Sequence, residues 1–510
     1  MEWHFTSFGR KLRHFCIIFS CKTFRVLKLC FNYLVFRGNP FWIQFFYFII
    51  VSFAGYLSLK LSKPKSSNSV APKDFDVFFT SVSASTVSSM STLEMEIFSN
   101  TQLIIITVLM FVGGEVFTSL LGLQFLKLNF PKQTSSNSVD PTELGLVSSE
   151  EPSSNFDPQS FNNDILIKKG SLRCLGNVVL GYLLVVQIVG SGLVLLYVSV
   201  IDTARELLNN RGIHAQTFSV FTIVSSFGNC GFVPTNENMI VFKRNSGLLL
   251  LLIAQILLGN TLYHPCLRFL IWVLEKITKR TEYSYILKNT KQMGYSHLFP
   301  TLHSSFMVVT VFGFVLVQFV LFCILEWDSE AMAGLNGYQK FVGALFQTVN
   351  SRHAGEYVVD LSTISSAILV LYVVMMYLPP YTLFLPTKQQ TDDPSQRGGF
   401  VECVLFSQLS YLVIFIILIC IMERDKMKND PLNFNVLNIT FEVISAYGNV
   451  GLSTGYSCER QLKPDGSCKD AWYGFAGRWS YKGKLILVCI MFFGRLKNFN
   501  INGGQAWVFM

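Results

Sequence analysis

Long apolar runs recur along the chain, separated by shorter polar segments. Residues 174–201, 245–267, 292–325, 361–387 and 403–422 contain no Asp, Glu, Lys or Arg, and neither do 38–59 and 97–114. A hydrocarbon core about 30 Å thick is crossed by about 20 helical residues, so these runs predict seven membrane spans. An eighth, WSYKGKLILVCIMFFGRLKNF at 479–499, is interrupted by Lys482, Lys484, Arg495 and Lys497.

Between successive pairs of spans lie four apolar stretches too short to cross: DVFFTSVSASTVSSMS, FSVFTIVSSFGNCGFVP, FVGALFQTVNSRHAGEYV and ITFEVISAYGNVGLSTG. Aligned on phenylalanine they share a register. Phe79, Phe221 and Phe441 each precede a serine by four positions (Ser83, Ser225, Ser445) and a further residue by ten (Ser89, Gly231, Gly451). The third copy is one shorter, running Phe346, Asn350, Gly355. Non-helical backbone at membrane depth is tolerated only where protein buries it or where it lines a watery cavity. Four such segments predict a common axis, where a ring of backbone carbonyls replaces the hydration shell of a cation. Glycine reaches the required backbone angles without steric cost. Short helices entering from outside would aim their partly negative C-terminal ends at the same place. The pattern predicts an all-α polytopic membrane protein of four pseudo-symmetric helix–pore-loop–helix repeats, eight transmembrane helices around one central pore.

Composition agrees. Of the 510 residues 51% are hydrophobic and only 14% charged, against about 25% charged in soluble domains. The mean hydropathy is +0.42. The formal charge of +9 needs no nucleic-acid partner. Arg10, Lys11, Arg13, Lys22, Arg25, Lys28 and Arg37 form one basic group, and Lys276, Lys279, Arg280, Lys288 and Lys291 another. The positive-inside rule puts both in the cytoplasm. The early basic residues are too dispersed for a cleaved signal peptide, and fit an arm lying on anionic lipid. The expected divisions are this arm at 1–39, pore repeats at 40–130, 171–276, 299–387 and 401–510, and cytoplasmic linkers at 131–170, 277–298 and 388–400. The first linker, rich in Ser, Asn, Pro and acidic residues, is expected to be disordered.

Individual residues refine the picture. Cys458 and Cys468 flank a polar loop expected outside, where they are compatible with a disulfide or with two free thiols. Asn438-Ile-Thr440 is a glycosylation sequon on the same side. Glu94, Glu96, Glu237, Glu356 and Asp360 each follow one of the short stretches and suit an acidic outer mouth that concentrates cations. Lys482 and Lys484 read as interface residues. Gly451-Leu452-Ser453-Thr454-Gly455 matches the hydrolase nucleophile elbow, but neither the preceding strand nor a partnered histidine is in view. An enzyme is not expected, and no cofactor is implied.

The segments FFTSVSASTVSSMSTLEMEIFSNTQL, SSFGNCGFVPTNENM, NSRHAGEYVVDLS and SAYGNVGLSTGYS resemble the plant HKT family of sodium and potassium transporters, relatives of the microbial Trk and Ktr proteins. The resemblance runs from about residue 40 onward. It implies one pore per chain in the plasma membrane, cytoplasmic termini, a homodimer, and filter positions at Ser89, Gly231, Gly355 and Gly451. Carbonyls of Val87, Ser88, Cys230, Ala354 and Val450 would line the path beside them. A serine at the first position resembles the mainly sodium-selective subfamily. Arg495, in FFGRLKNF, matches an arginine projecting toward the pore below the filter, where it would act as an electrostatic barrier; an interface-seeking side chain is the alternative. Passive Na⁺ transport is thus expected. A Na⁺/K⁺ symporter of the same fold and a non-conducting receptor or scaffold are the rivals.

Overall fold

Leaving aside its 3₁₀ turns, the chain alternates long apolar helices with short buried ones, and no strand occurs among the described residues. The computed structural model describes residues 40–65, 72–128, 158–259, 262–295, 297–352, 354–378, 408–462 and 468–497. First come α1 (Pro40–Leu61), the short α2 (Asp74–Ser85), and the pair α3 (Asn100–Gly113) and α4 (Glu115–Leu128), bent by 53°. Next are α5 (Pro158–Val200), α6 (Asp202–Asn210), the short α7 (Ala215–Gly228), α8 (Ser246–Gly259) and α9 (Tyr263–Thr278). Then α10 (Thr281–Lys288) leads to α11 (Thr301–Glu326), the short α12 (Gly337–Asn350) and α13 (Ser366–Tyr377). Last are α14 (Gln408–Met422), α15 (Arg424–Asn429), the short α16 (Val436–Gly448) and α17 (Tyr481–Leu496).

Local chemistry sets several of these starts. Ser99 and Gln102 form a reciprocal capping box on α3, and Asn336 and Gln339 do the same on α12, each satisfying two orphan backbone donors. Ser480 caps α17 by accepting from Gly483 N at 3.2 Å.

By length and composition α1, α5 and α11 can each cross a bilayer, and the count among the described residues reaches five if the bent pairs α3–α4 and α8–α9 are each one span. The apolar α13 and α14 are shorter and abut residues 379–407, which lie outside the described residues together with the expected arm at 1–39 and linker at 388–400. The first linker needs correction at its end: helix α5 begins at Pro158, so 158–170 is helical rather than disordered. Pro158 opens that helix where its missing N–H has no intrahelical acceptor to lose. The basic stretch at 277–298 likewise contains a helix, α10.

The short helices are packed in a closed cycle. Each touches the last long helix of the preceding unit: α7 lies on α3, α12 on α8, α16 on α13, and α2 on α17. Side chains buried along them, such as Phe79, Phe221, Phe346 and Phe441, are fully excluded from solvent. The aligned phenylalanines are therefore the anchors of the four short helices.

The last contact of the cycle carries a buried charge pair. Lys484 Nζ on α17 lies 2.7 Å from Asp76 Oδ1 on α2, and both residues are buried. The expectation of an interface-seeking Lys484 is thereby corrected. A carboxylate close by makes the buried ammonium tolerable where lipid headgroups would otherwise draw it out. Removing one partner of a buried pair strands the other, at about 3–5 kcal/mol. The variant Lys484→Met is expected to lower the thermal midpoint of the detergent-solubilised protein. Adding Asp76→Leu should recover most of that loss; a double variant no better than the single one would refute the pairing.

Candidate functional site

The four segments leaving the C-terminal ends of the short helices converge. A Cβ built on Gly231 would collide with the Ala354 carbonyl oxygen, one on Gly355 with the Val450 carbonyl oxygen, and one on Gly451 with the Cβ of Ser89 and the carbonyl of Ser88. Val87 and Cys230 in turn belong to one buried apolar cluster, which joins the first segment to the second. Each segment thus abuts the next, and the cycle closes. Val87, Ser88, Ser89, Cys230, Ala354 and Val450 are all buried in it.

The backbone angles have a common pattern. Left-handed residues are spaced two apart: Val87 and Ser89, Asn229 and Gly231, Asn449 and Gly451, with Gly355 in the third segment. Left-handed residues alternating with ordinary ones turn successive carbonyls toward one side, whereas an ordinary strand alternates them. Val87 at φ 58° and Ser89 at φ 53° hold this conformation without glycine's freedom, at about 1–2 kcal/mol each.

Hydrogen bonding explains the spacing of four and ten. Cys230 N donates to the Ser225 carbonyl at 2.8 Å and Val450 N to the Ser445 carbonyl at 3.0 Å. The same serines then use their hydroxyls: Ser225 Oγ accepts from Gly231 N at 3.1 Å and Ser445 Oγ from Gly451 N at 3.0 Å. In the third segment Asn350 takes both roles, its carbonyl accepting from Gly355 N and its Oδ1 from Glu356 N, each at 3.3 Å. The first segment departs. Ser88 N donates to the Ser83 carbonyl at 2.8 Å, but the Ser83 hydroxyl is buried without a partner among the described residues.

Beneath the ring lies a cavity of about 50 Å³ lined by Val87, Asn229 and Asn449 together with Glu115, Arg352, Arg495 and Lys497. Arg495 donates from Nη2 to the Gly113 carbonyl and lies over the Phe48 ring, its Cζ 5.5 Å from the centroid. It therefore faces the cavity from within the helix cycle. Glu115, Arg352 and Lys497 were not singled out from sequence, although Glu115 directly follows an apolar run ending in two glycines.

The acidic mouth is corrected. Glu356 is fully buried, with Oε1 accepting from Ser226 Oγ at 2.6 Å; it sits against the neighbouring short helix, not in a vestibule. Glu96 and Glu237 both bind Arg211, Glu237 through Oε1 at 3.1 Å as well. Hydrogen bonding to Glu237 first, and to Glu96 after it, outweighs burial and raises the Arg211 guanidinium above the usual arginine value. Asp360 accepts from Ser362 N at 2.9 Å and Glu94 from Trp472 N at 3.2 Å. These carboxylates brace the turns above the ring, and the two nearest Arg211 share its single positive charge.

Two further readings meet the structure here. Cys458 and Cys468 are joined, with Cα atoms 5.9 Å apart. Asn438 is buried, its Nδ2 donating to the Asn433 carbonyl at 2.9 Å. In the folded chain the sequon amide is thus turned inward. The histidines, taken as scattered, include a buried pair, His297 Nδ1 lying 2.8 Å from His264 Nε2.

Known proteins carry the same architecture. The family model TrkH, described as a cation transport protein, matches residues 157–382 and 397–501. The protein of Oryza sativa subsp. japonica named Cation transporter HKT1;3 is 51% identical over 498 residues, spanning 94% of this chain and 93% of that one. The Arabidopsis thaliana protein named Sodium transporter HKT1 is 54% identical over 466 residues, covering 88% and 91% respectively. Among solved structures, the potassium transporter TrkH from Vibrio parahaemolyticus has a TM-score of 0.52 at 14% identity, covering 93% of this chain and 88% of its own. At that identity the likeness concerns fold alone.

Close approach at the ring yields a direct test. Gly231→Ala should abolish cation flux by forcing the Ala354 carbonyl aside, whereas Gly122→Ala, where a Cβ meets nothing within 4 Å, should leave flux unchanged. Both are measured as Na⁺ uptake per molecule at the cell surface. Wild-type uptake by Gly231→Ala would show that the segments do not abut in the working protein.

Proposed function

Because the chain belongs to the TrkH family of cation transport proteins, among the plant HKT transporters, we propose that it carries Na⁺ passively across the plasma membrane through a single pore. The observation that carries this reading is the ring of four buried segments, three of them with left-handed residues two apart and the third segment with Gly355. Eight spans in four repeats, cytoplasmic termini and a homodimer with one pore per chain complete the proposal.

In this reading Na⁺ enters largely dehydrated and is held by carbonyls around Val87–Ser89, Cys230–Gly231, Ala354–Gly355 and Val450–Gly451. Backbone dipoles fixed in place replace water without reorganising as the ion arrives. Below, Arg495 opposes the ion as an electrostatic barrier, since a cation in a confined low-dielectric space repels another strongly. Two things support preference for Na⁺ over K⁺: Ser89 stands where the other segments have glycine, and one relative with 54% identity is named a sodium transporter. Ser89 places its side chain against Gly451, so it fills the seam between the first and fourth segments.

Reversal potentials in voltage-clamped cells, with external Na⁺ and K⁺ exchanged, test the reading. They should follow Na⁺ and respond little to K⁺. A reversal potential set by both ions in fixed proportion would favour the symporter, and no current or uptake at all would favour a non-conducting role. The Ser89→Gly variant should gain K⁺ permeability several-fold; an unchanged permeability ratio would remove Ser89 from the filter. Arg495→Gln should enlarge inward current and weaken rectification, while parent-like currents would return this residue to a structural role.

A further inference from the structure

Three of the four ring segments are tied to their own short helix by a side chain. Ser225 Oγ takes the N–H of Gly231, Ser445 Oγ that of Gly451, and Asn350 Oδ1 that of Glu356. In the first segment the corresponding Ser83 hydroxyl is buried and has no partner among the described residues. A buried hydroxyl left unpaired forfeits a hydrogen bond that its register would have supplied.

What holds the first segment is found on its other side. Asn449, the left-handed residue ending α16, donates from Nδ2 to Ser88 Oγ at 2.6 Å, and also to the Met491 carbonyl at 3.2 Å. Ser88 Oγ lies 2.8 Å from Thr86 Oγ1 as well. Ser89 packs its Cβ on Gly451, next along the chain from Asn449 and Val450. This segment is thus tied by a side chain to the fourth unit, in addition to the Ser88 N and Thr86 bonds that hold it to its own helix. A Cβ at position 89 must find room in the seam that a glycine would leave open.

Resting on the reading of the ring as a cation filter, we propose that the Asn449–Ser88 hydrogen bond is a specificity-determining tether. It sets the distance between the first and fourth segments, and with it the fit of the ring to Na⁺. Ser88 and Asn449 are positioning residues, acting through the carbonyls beside them, and the Ser83 side chain takes no part. The constraint belongs to one seam of four, so it contributes to the asymmetry that Ser89 introduces.

The test uses the full-length chain in voltage-clamped cells, with the K⁺/Na⁺ permeability ratio read from reversal potentials and surface amounts measured in parallel. Ser88→Ala and Asn449→Gly, the latter keeping the left-handed backbone accessible, should each raise the ratio several-fold. Combining them should raise it no further than the larger single change, because both remove one bond. Ser88→Thr, which keeps the hydroxyl, should retain the parent ratio, and so should Ser83→Ala. The ratio is independent of how much protein reaches the surface, so a loss of folding alone does not move it. A parent-like ratio in Ser88→Ala, simple addition in the double variant, or a shift in Ser83→Ala as large as in Ser88→Ala would each overturn the tether. If the parent itself does not discriminate Na⁺ from K⁺, the filter reading falls along with it; a selective parent with an unaltered Ser88→Ala sinks the tether alone.

Discussion

Four stretches of backbone meet so closely that no side chain fits between three of them, and most of the architecture follows from that approach. The place a Cβ would occupy at Gly231 and Gly355 is taken by a carbonyl oxygen of the next segment, and at Gly451 by Ser88 and Ser89. Such contact brings polar backbone together in a region without bulk water, where an unpaired N–H is costly. The short helices supply the remedy. In three of the four, a serine or asparagine in the last turn receives an N–H group of the departing segment on its side chain. The cycle of contacts from α3 to α7, α8 to α12, α13 to α16 and α17 to α2 holds those ends at one level. Small residues elsewhere serve the same end: a Cβ on Gly113, Gly259 or Gly494 would strike the carbonyl of Ser85, Phe227 or Tyr447, the last turns of three short helices.

Symmetry of this kind makes departures meaningful. Ser89 is the one non-glycine among the four ring positions, and it adopts a left-handed φ of 53° that an L-residue visits at a cost. The third unit departs differently, with Asn350 in place of serine and Glu356 where the others have Met90, Phe232 and Leu452. Glu356 is bonded to Ser226 on the preceding short helix, so a carboxylate substitutes for an apolar contact at that seam. The one-residue compression seen between Phe346 and Gly355 is absorbed by the longer asparagine side chain, which reaches the N–H of the next residue.

The parts of the design that were legible in sequence are those encoded locally. The interval from phenylalanine to serine to glycine spans about two turns of helix and one exit, so it is visible as spacing, and the anchor and acceptor roles of those residues follow it. Contacts across the cycle leave no such trace. Asp76 and Lys484 are 408 positions apart, and counting charges along α17 therefore placed Lys484 at the lipid interface. Arg211 lies in a turn whose sequence gives no sign of Glu96, 115 positions away. Acidic residues following each ring segment read as a mouth because composition counts charges without their partners. Asn438 shows the same limit from another side: its sequon is a property of three residues, while its burial is a property of α16 and the turn before it. The start of α5 at Pro158 was hidden by a polar helix turn that composition assigned to the linker.

With those partners in place, the electrostatics of the site take a different shape from one built on side-chain carboxylates. Above the ring, Glu96 and Glu237 share the one charge of Arg211, Asp360 caps a turn, and Glu356 is buried behind the third segment. Below it, Arg352, Arg495 and Lys497 line the cavity with a single acidic neighbour, Glu115. Above the ring the two carboxylates on Arg211 keep one net negative charge between them, whereas the described lining below the ring is mainly basic. At the ring itself the attraction in the proposed pathway comes from carbonyl dipoles and from the C-terminal ends of α2, α7, α12 and α16. Dipole fields fall off faster with distance than those of charges, so an ion held this way is sensitive to displacements of the ring by fractions of an ångström. That is why a single side chain at a seam, rather than a change in net charge, is the economical place for such a protein to set which cation it prefers.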